Sequence, residues 1–276
     1  MDIIRANAKI NWSLDVLFRR VDGYHELETL MQQISLYDEL KIAENDEMSL
    51  MCDKNDIPIN QNNTIIKAIE LYFAHSGMKK NFKIDLTKNI PSQAGLGGGS
   101  SDAAAMLKYL NARYNLKTKE QLKIIAKQVG ADVPFFLADS TFALCKGIGE
   151  KITALKAKEY SLLLVKPDEG ISTAELFSGL SLNSEKTSCS DALTDAICNY
   201  NFLTMKQLAK NDLQNEAIRK CPSINIIIEK IYNSGAKLAL MSGAGSCCFG
   251  VFSSEQEAKK AQFEFSDYYN ELVNTI

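Results

Sequence analysis

Residues 90 to 105 read Ile-Pro-Ser-Gln-Ala-Gly-Leu-Gly-Gly-Gly-Ser-Ser-Asp-Ala-Ala-Ala. Glycines 95, 97, 98 and 99 run into two hydroxyl residues, an acid and three alanines. Glycine exposes its backbone N–H with no Cβ in the way, and alanine is a strong helix former. Ser100-Ser101-Asp102 between them has the chemistry of a helix N-cap. Amides gathered at the positive end of a helix bind anions, and a polyphosphate suits such a loop. No lysine follows the glycines to complete a Gly-Lys-Ser/Thr loop, so backbone and hydroxyls would hold the phosphates. Gly95-x-Gly97-x-x-Ser100 is only a degenerate dinucleotide fingerprint. A plain hinge explains the glycines but not the capped helix behind them.

Phosphoryl transfer also needs positive charge near the γ-phosphate and a group that orients the attacking hydroxyl. Lys9 is the candidate for the first, lying on the polar face of a strand with Asn7 and Asn11 to either side. A solvated strand lysine is the competing reading. Asp132, in Gly130-Ala131-Asp132-Val133-Pro134-Phe135-Phe136, is the candidate for the second. Apolar bulk around it implies partial burial, and a buried carboxylate requires a partner. It could equally be a helix N-cap with proline in the first turn. Asp22-Gly23-Tyr24-His25-Glu26 puts a ring and an imidazole beside a tight turn, where Tyr24 could stack on a base and His25 hydrogen-bond its edge. A turn with a surface aromatic accounts for the same residues.

These groups must be carried by regular elements. Ala6, Ala8, Ile10, Trp12, Leu14 and Val16 alternate with polar residues over Arg5–Val16, which predicts a half-buried strand. Arg19–Gly23 reads as a turn, and strand-like runs follow over Leu27–Leu36, Glu39–Ile42 and Met48–Cys52. Asn63 should cap a helix with the stripe Ile65, Ile66, Ile69, Tyr72 and Phe73, ending near Gly77. A strand over Phe82–Leu86 leads into the glycine loop and its helix. Thr118 with Gln121 forms a capping box for another helix, stopped by Gly130. A second half begins near residue 157: a strand over Ser161–Lys166, a helix over Ser172–Leu180 and a polar surface loop over Ser181–Asp191. Ser223 should cap a helix ending at Gly235. Strands over Lys237–Met241 and Cys247–Phe252 follow, then a helix capped by Ser254 with Glu257. Ser242-Gly243-Ala244-Gly245-Ser246 is a second small-residue loop. The pattern is α+β in two domains, with the site expected in a cleft between them.

Composition sets outer bounds. The 276 residues are 46% hydrophobic and 24% charged with a net charge of −3, enough for one large or two modest cores. No basic cluster exceeds two residues, which argues against nucleic acid as a partner. No apolar run approaches the roughly 20 residues that span a bilayer, and the first residues lack a signal-peptide pattern. Seven cysteines without a C-x-x-C pair read as reduced, mostly buried thiols of a cytoplasmic protein. With only two histidines, a histidine-rich metal site is excluded, and no metal-ligating residues are assigned.

Pro91-x-x-x-Gly95-Leu96-Gly97-Gly98-Gly99-Ser100-Ser101-Asp102-Ala103-Ala104 resembles the phosphate-binding motif of the GHMP small-molecule kinases. Within that superfamily, four further segments resemble the kinases that act on a diphosphocytidyl alcohol of the non-mevalonate isoprenoid route. They are Ala8-Lys9-Ile10-Asn11, Asp22-Gly23-Tyr24-His25-Glu26, the Gly130–Phe136 segment and Met241–Cys247, so the likeness spans the chain. The resemblance implies transfer of the ATP γ-phosphate, with Mg²⁺, to the 2-hydroxyl of 4-diphosphocytidyl-2-C-methyl-D-erythritol. It implies Asp132 as the base with Lys9 as its partner, and Asn11 on the erythritol. Tyr24 and His25 would bind cytosine, with Phe177 as a second stacking face. Asn63 and Lys88 would lie near adenine. Pro91, Gly95, Leu96, Gly97, Gly98, Gly99, Ser100 and Ser101 would form the ATP loop. The implied fold is a domain similar to ribosomal protein S5 domain 2 over residues 1–155 and a ferredoxin-like domain over 156–276. Cys145-Lys146-Gly147 departs from relatives, which often carry Arg or another small residue there. Other GHMP kinases, acting on mevalonate, homoserine or a sugar, and a non-catalytic nucleotide-binding protein remain as alternatives. No motif fixes the oligomeric state.

Overall fold

The computed structural model describes residues 1–156, 158–180 and 188–276. The chain divides into two compact units that are not contiguous in sequence. The first comprises Met1–Ala8, Leu36–Ser92 and Gly97–Ser140, and the second Lys9–Ser35, Gln93–Leu96 and Thr141–Ile276. Two long strands, β1 (Asp2–Arg19) and β2 (His25–Asn45), run through both units.

In the first unit the end of β2 pairs antiparallel with β4 (Asn81–Thr87), Glu39 opposite Thr87. On its other edge β4 takes β3 (Ser49–Cys52) in parallel. Helices α1 (Thr64–Phe73), α2 (Gly98–Tyr114), α3 (Lys119–Val129) and α4 (Val133–Leu137) complete this unit. The Tyr72 hydroxyl ties α1 to α2 by donating to the carbonyl of Leu110 at 3.2 Å. Phe73 stacks on Phe82 of β4, so an aromatic layer joins helix to sheet. Two expected caps are present. Asn63 accepts from the amide of Ile65, and Thr118 and Gln121 form a complete capping box. Gly130 ends α3 as expected.

In the second unit the start of β2 pairs with β5 (Phe142–Gly147), which pairs with β6 (Lys151–Leu155). An antiparallel sheet of order β10-β7-β9-β8 is built from β7 (Ser161–Lys166), β8 (Leu238–Met241), β9 (Cys248–Phe252) and β10 (Tyr269–Asn274). Helices α5 (Thr173–Gly179), α6 (Ser190–Cys198), α7 (Phe202–Leu208), α8 (Gln214–Lys220), α9 (Ser223–Asn233) and α10 (Glu255–Gln262) belong to the same unit. Its core joins Leu14 and Val16 of β1 to Leu163, Ile227, Met241 and Phe252. Trp12 is buried edge-on to Tyr160 and Phe249, and its indole N–H donates to Gln32 at 2.8 Å.

Several expectations are corrected. β1 is not half-buried: from Ala8 to Val16 both faces are covered, so Lys9, Asn11, Ser13 and Asp15 are as inaccessible as Ile10 and Trp12. Period-two alternation separates the faces but does not say whether the polar one is capped by protein. The two runs expected over 27–36 and 39–42 are one strand, because Tyr37 and Asp38 stay extended and Asp38 turns its carboxylate inward. Helix α2 starts earlier than the Ser-Ser-Asp reading placed it, with Gly97 at φ 73° as its N-cap and no capping side chain. Ser223 is the first residue of α9 and not its cap, which is Pro222. Ser190 and Asp191, expected in a loop, begin α6, while residues 181–187 of that loop lie outside the described residues. Helices α6 and α8 and strand β10 carry no cap or turn signal strong enough to be expected from the sequence, and α7 was not expected although Asn201 caps it, accepting from the Thr204 amide at 3.1 Å. No helix among the described residues is long and apolar enough to cross a membrane.

Candidate functional site

The expected site residues fall into two groups, one in each unit. In the first unit, β4 delivers the chain to Lys88, whose amide donates to Asp53 at 2.8 Å. The loop then reaches Gly97, and α2 begins at Gly98. Helix geometry leaves the amides of Gly98, Gly99 and Ser100 without an intrahelical acceptor, at the positive end of a 17-residue helix. Gly97 to Ser100 remain partly or fully exposed, while Ser101 is buried and its hydroxyl donates to the carbonyl of Asn7 at 2.6 Å. A Cβ on Gly98 would meet Ile90 at 3.0 Å and the Lys88 ammonium at 3.1 Å, so a side chain here would push on both. Thr64, at the start of α1, donates to the carbonyl of Gly99 at 2.7 Å. Asn63 holds that start in place, with its side chain spent on the amide of Ile65 and the carbonyl of Pro58.

Lys88 is buried between two carboxylates. It is bonded to Asp38, and at 2.9 Å to Asp102. The other Asp38 oxygen accepts from the amides of Asn89 and Ile90 at 2.7 and 2.8 Å, fixing the entry to the loop. Burial raises the Asp102 pKa to about 7, with the Lys88 ammonium pulling it down and Asp38 pushing it up. Burial alone would lower the Lys88 pKa, but the two carboxylates outweigh it and the pKa is raised. Lys88 therefore stands directly behind the helix mouth as an internal ion cluster.

Asp132 occupies the N-cap position of α4, with Pro134 in the first turn, yet its side chain makes no capping hydrogen bond. Capping therefore does not account for this residue. The turn carrying it lies against the mouth of α2, since a Cβ on Gly130 would come within 3.7 Å of the Ser100 hydroxyl.

In the second unit, Lys9 is 3% exposed and Asn11 1%, which removes the solvated-lysine alternative. The Lys9 ammonium donates to Asn11 at 2.6 Å and to the carbonyl of Gly95 at 2.8 Å. Asn11 in turn donates to Thr29 at 2.8 Å, and Thr29 to the carbonyl of Ser13. The Gln93–Leu96 part of the loop is bound throughout to this unit. Leu96 accepts from the Lys9 amide at 3.0 Å, Gln93 from the Ser246 amide at 3.1 Å and Ala94 from the Cys247 amide at 3.3 Å. Ser242 also donates to the Gly95 carbonyl, at 3.1 Å. Thr29, Ser242 and Gly243 were not singled out by sequence. The small-residue loop at 242–246 was visible but carried no chemistry of its own.

His25 and Phe177 stack at 5.1 Å between ring centroids and 28° between planes. Burial, then the Arg19 cation, lowers the His25 pKa, so the imidazole is neutral at pH 7. A neutral imidazole offers one donor and one acceptor nitrogen. Tyr24, on the turn braced by Arg20 with Asp22 and Glu26, is 61% exposed. Among the described residues no group of three or more His, Cys, Asp or Glu is placed to hold a metal ion.

Comparison with known proteins identifies the family. Residues 63–140 match the GHMP kinase N-terminal domain and residues 193–271 the GHMP kinase C-terminal domain. A 4-diphosphocytidyl-2-C-methyl-D-erythritol kinase of Clostridium kluyveri is 40% identical over 278 residues, covering 99% of each chain. The chain belongs to that kinase family, within the GHMP superfamily. A crystal structure of 4-(cytidine 5'-diphospho)-2C-methyl-D-erythritol kinase superposes with a TM-score of 0.85 at 30% identity, covering 99% of both chains. A homoserine kinase from Cytophaga hutchinsonii, 17% identical with a TM-score of 0.71 and covering 100% of this chain and 95% of its own, shares the fold alone. The protein thus has the two-domain α+β GHMP kinase fold and is an ATP-dependent small-molecule kinase.

The Asp102 pKa yields a test with a defined sign. A carboxyl raised from about 4 toward 7 favours folding while protonated, so its contribution is complete below about pH 4 and lost as pH rises toward 7. Asp102→Asn should therefore gain stability over the parent between about pH 4 and 7, by up to about 1.4 kcal/mol per pH unit in urea unfolding, and no further above pH 7. A difference that does not change with pH would assign the proton to another group.

Proposed function

We propose that this kinase transfers the γ-phosphoryl group of ATP to the 2-hydroxyl of 4-diphosphocytidyl-2-C-methyl-D-erythritol, a step of the non-mevalonate route to isoprenoid precursors. The observation that carries the acceptor class is one unit holding both a buried Lys9–Asn11–Thr29 row and a His25–Phe177 aromatic pair. A polar alcohol suits the first and a flat, hydrogen-bonding base the second. The full-length likeness to the Clostridium kluyveri kinase favours the same assignment.

In this reading the amides of Gly97, Gly98 and Gly99, with Ser100, cradle the phosphates, Ser101 supports that mouth from behind through its bond to Asn7, and Pro91, Gly95 and Leu96 frame the loop. Asn63 and Lys88 shape the adenine side, Asn63 through the start of α1 and Lys88 through the mouth of α2. Tyr24, His25 and Phe177 hold cytosine by stacking and by the donor and acceptor nitrogens of the neutral imidazole. Asn11 orients the erythritol. Asp132 accepts the proton of the attacking hydroxyl as its oxygen bonds to the γ-phosphorus, and the bond to the β,γ-bridging oxygen breaks to release ADP. An alkyl hydroxyl is far less acidic than an aspartic acid, whose pKa is about 3.9, so early deprotonation is steeply uphill. A loose, metaphosphate-like transition state needs little nucleophilic push, and accepting the proton late is sufficient. Lys9 offsets negative charge developing at the transferred group. Mg²⁺ arriving on the triphosphate would neutralise phosphate charge. We assign residues 1–155 to the nucleotide-binding domain and 156–276 to the C-terminal domain. The free thiols suit a reducing, cytoplasmic setting.

A coupled ADP-release assay tests the substrate: turnover should require the diphosphocytidyl alcohol and be negligible with mevalonate, homoserine or hexoses. Faster turnover of any of those would reassign the acceptor. Asp132→Asn and Lys9→Ala should each lose about three orders of magnitude in kcat while remaining folded by circular dichroism. A variant that retains near-parental kcat removes its residue from the mechanism.

A further inference from the structure

We propose that Asn211 is a positioning residue that sets the ammonium of Lys9 through the loop at 241–245. The proposal rests on the role given to Lys9 above. Asn211 lies in the short segment between α7 and α8, which crosses back over β1. The Leu14 amide donates to the carbonyl of Lys210 at 2.8 Å and the Asp212 amide to the carbonyl of Leu14 at 2.9 Å. The Asp212 carboxylate takes the amide of Val16 at 2.9 Å. The Asn211 backbone is thereby locked to the same strand that carries Lys9.

From there its side chain reaches the loop. The Asn211 amide nitrogen donates to the carbonyls of Met241 and Gly243 at 2.9 and 2.8 Å, and its oxygen accepts from the Leu213 amide at 3.0 Å. Both hydrogens of the side-chain amide are used on carbonyls two residues apart, which specifies an amide and excludes a carboxylate. Gln214 adds a hold on the amide of Met241 at 3.0 Å. The far side of the loop presses on Gly95 and Lys9. A Cβ on Gly243 would meet the Gly95 carbonyl oxygen at 2.8 Å and the Lys9 ammonium at 3.0 Å. Gly95 accepts from Lys9 itself. A circuit therefore starts on β1 at Leu14, passes through Asn211, the loop and Gly95, and closes on β1 at Lys9.

A 530 Å³ cavity lined by Asn211, Lys210, Tyr232 and Leu240 adjoins this residue and contains none of the site residues named above. Asn211 is 7% exposed, so its amide is spent on the loop and not on solvent. A long, flexible lysine needs such an external frame, because its own rotamers do not fix the ammonium. Displacement of a reacting group by about 1 Å can cost about 100-fold in rate.

Asn211→Leu keeps the volume and removes the donors. It should lower kcat about 10- to 100-fold, leave KM for ATP within about twofold and retain a cooperative melt. In the Lys9→Ala background the same change should alter kcat by less than about threefold, since both substitutions act on one group. An undiminished loss in that background, or an unchanged kcat in Asn211→Leu alone, overturns the proposal while leaving Lys9 in place. Normal turnover of Lys9→Ala removes the role of Lys9, and this proposal with it. A crystal structure of the variant gives a second readout: the Lys9 ammonium should leave its 2.8 Å contact with the Gly95 carbonyl, and an unmoved ammonium contradicts the proposal. Asn211→Ala replaces the leucine variant if that one does not fold.

Discussion

The carbonyl of Gly95 is the point on which the second unit's site depends. It accepts from the Lys9 ammonium at 2.8 Å and from the Ser242 hydroxyl at 3.1 Å, two groups far apart in sequence. The approach is possible only because residue 95 has no side chain. A Cβ there would lie 2.0 Å from the Ser242 carbonyl oxygen, and φ is +70°. Glycine meets both conditions without strain, whereas an L side chain meets neither. Two residues further on, Gly97 adopts a left-handed conformation and caps α2. The same short loop therefore ends one hydrogen-bond network and opens a helix whose amides face outward.

Burial gives these polar groups their strength and also their cost. Lys9, Asn11, Ser13 and Asp15 form a polar row on a strand that is covered on both faces. Removing a charge from water is expensive unless it is paired, and each of the two buried charges in the row has partners. Lys9 has Asn11 and Gly95, and Asp15 is paired with Lys210. Burial still raises the Asp15 pKa, against the pull of Lys210. In the first unit the Asp38–Lys88–Asp102 cluster follows the same rule behind the helix mouth. A water-poor setting strengthens any interaction such groups make with a developing charge. In the proposed mechanism that setting would strengthen the attraction of the Lys9 ammonium for charge developing at the transferred group.

Much of this was legible in the sequence, for reasons that differ between residues. The glycine loop and the helix behind it were visible because dense glycine running straight into an alanine helix leaves bare amides at a helix start. Asn63, Thr118 and Gly130 declared their helix ends by local chemistry. The burial of the polar face of β1 was not legible, since alternation is the same whether water or protein lies opposite. Asn211, Thr29 and Ser242 were missed for a related reason: each reaches the site through a partner remote in sequence, Thr29 through Asn11, Asn211 through Met241 and Ser242 through Gly95, which no local window contains. Helices α6 to α8 are short, and their ends lack the capping pairs that marked α3. Lys88 was expected beside the nucleotide, but the two acids that hold it sit 50 and 14 residues away and gave no joint signal.

The most direct measurement is ADP release by Gly95→Ala with ATP and the diphosphocytidyl alcohol, alongside ATP affinity by calorimetry. If the Gly95 carbonyl organises Lys9 as described, the added methyl should cut kcat by about 100-fold or more. ATP affinity should fall by less than kcat does, because Gly95 frames the phosphate loop while the amides proposed to face the phosphates belong to Gly97, Gly98 and Gly99. Turnover within about twofold of the parent, in a variant that folds normally, would contradict the account.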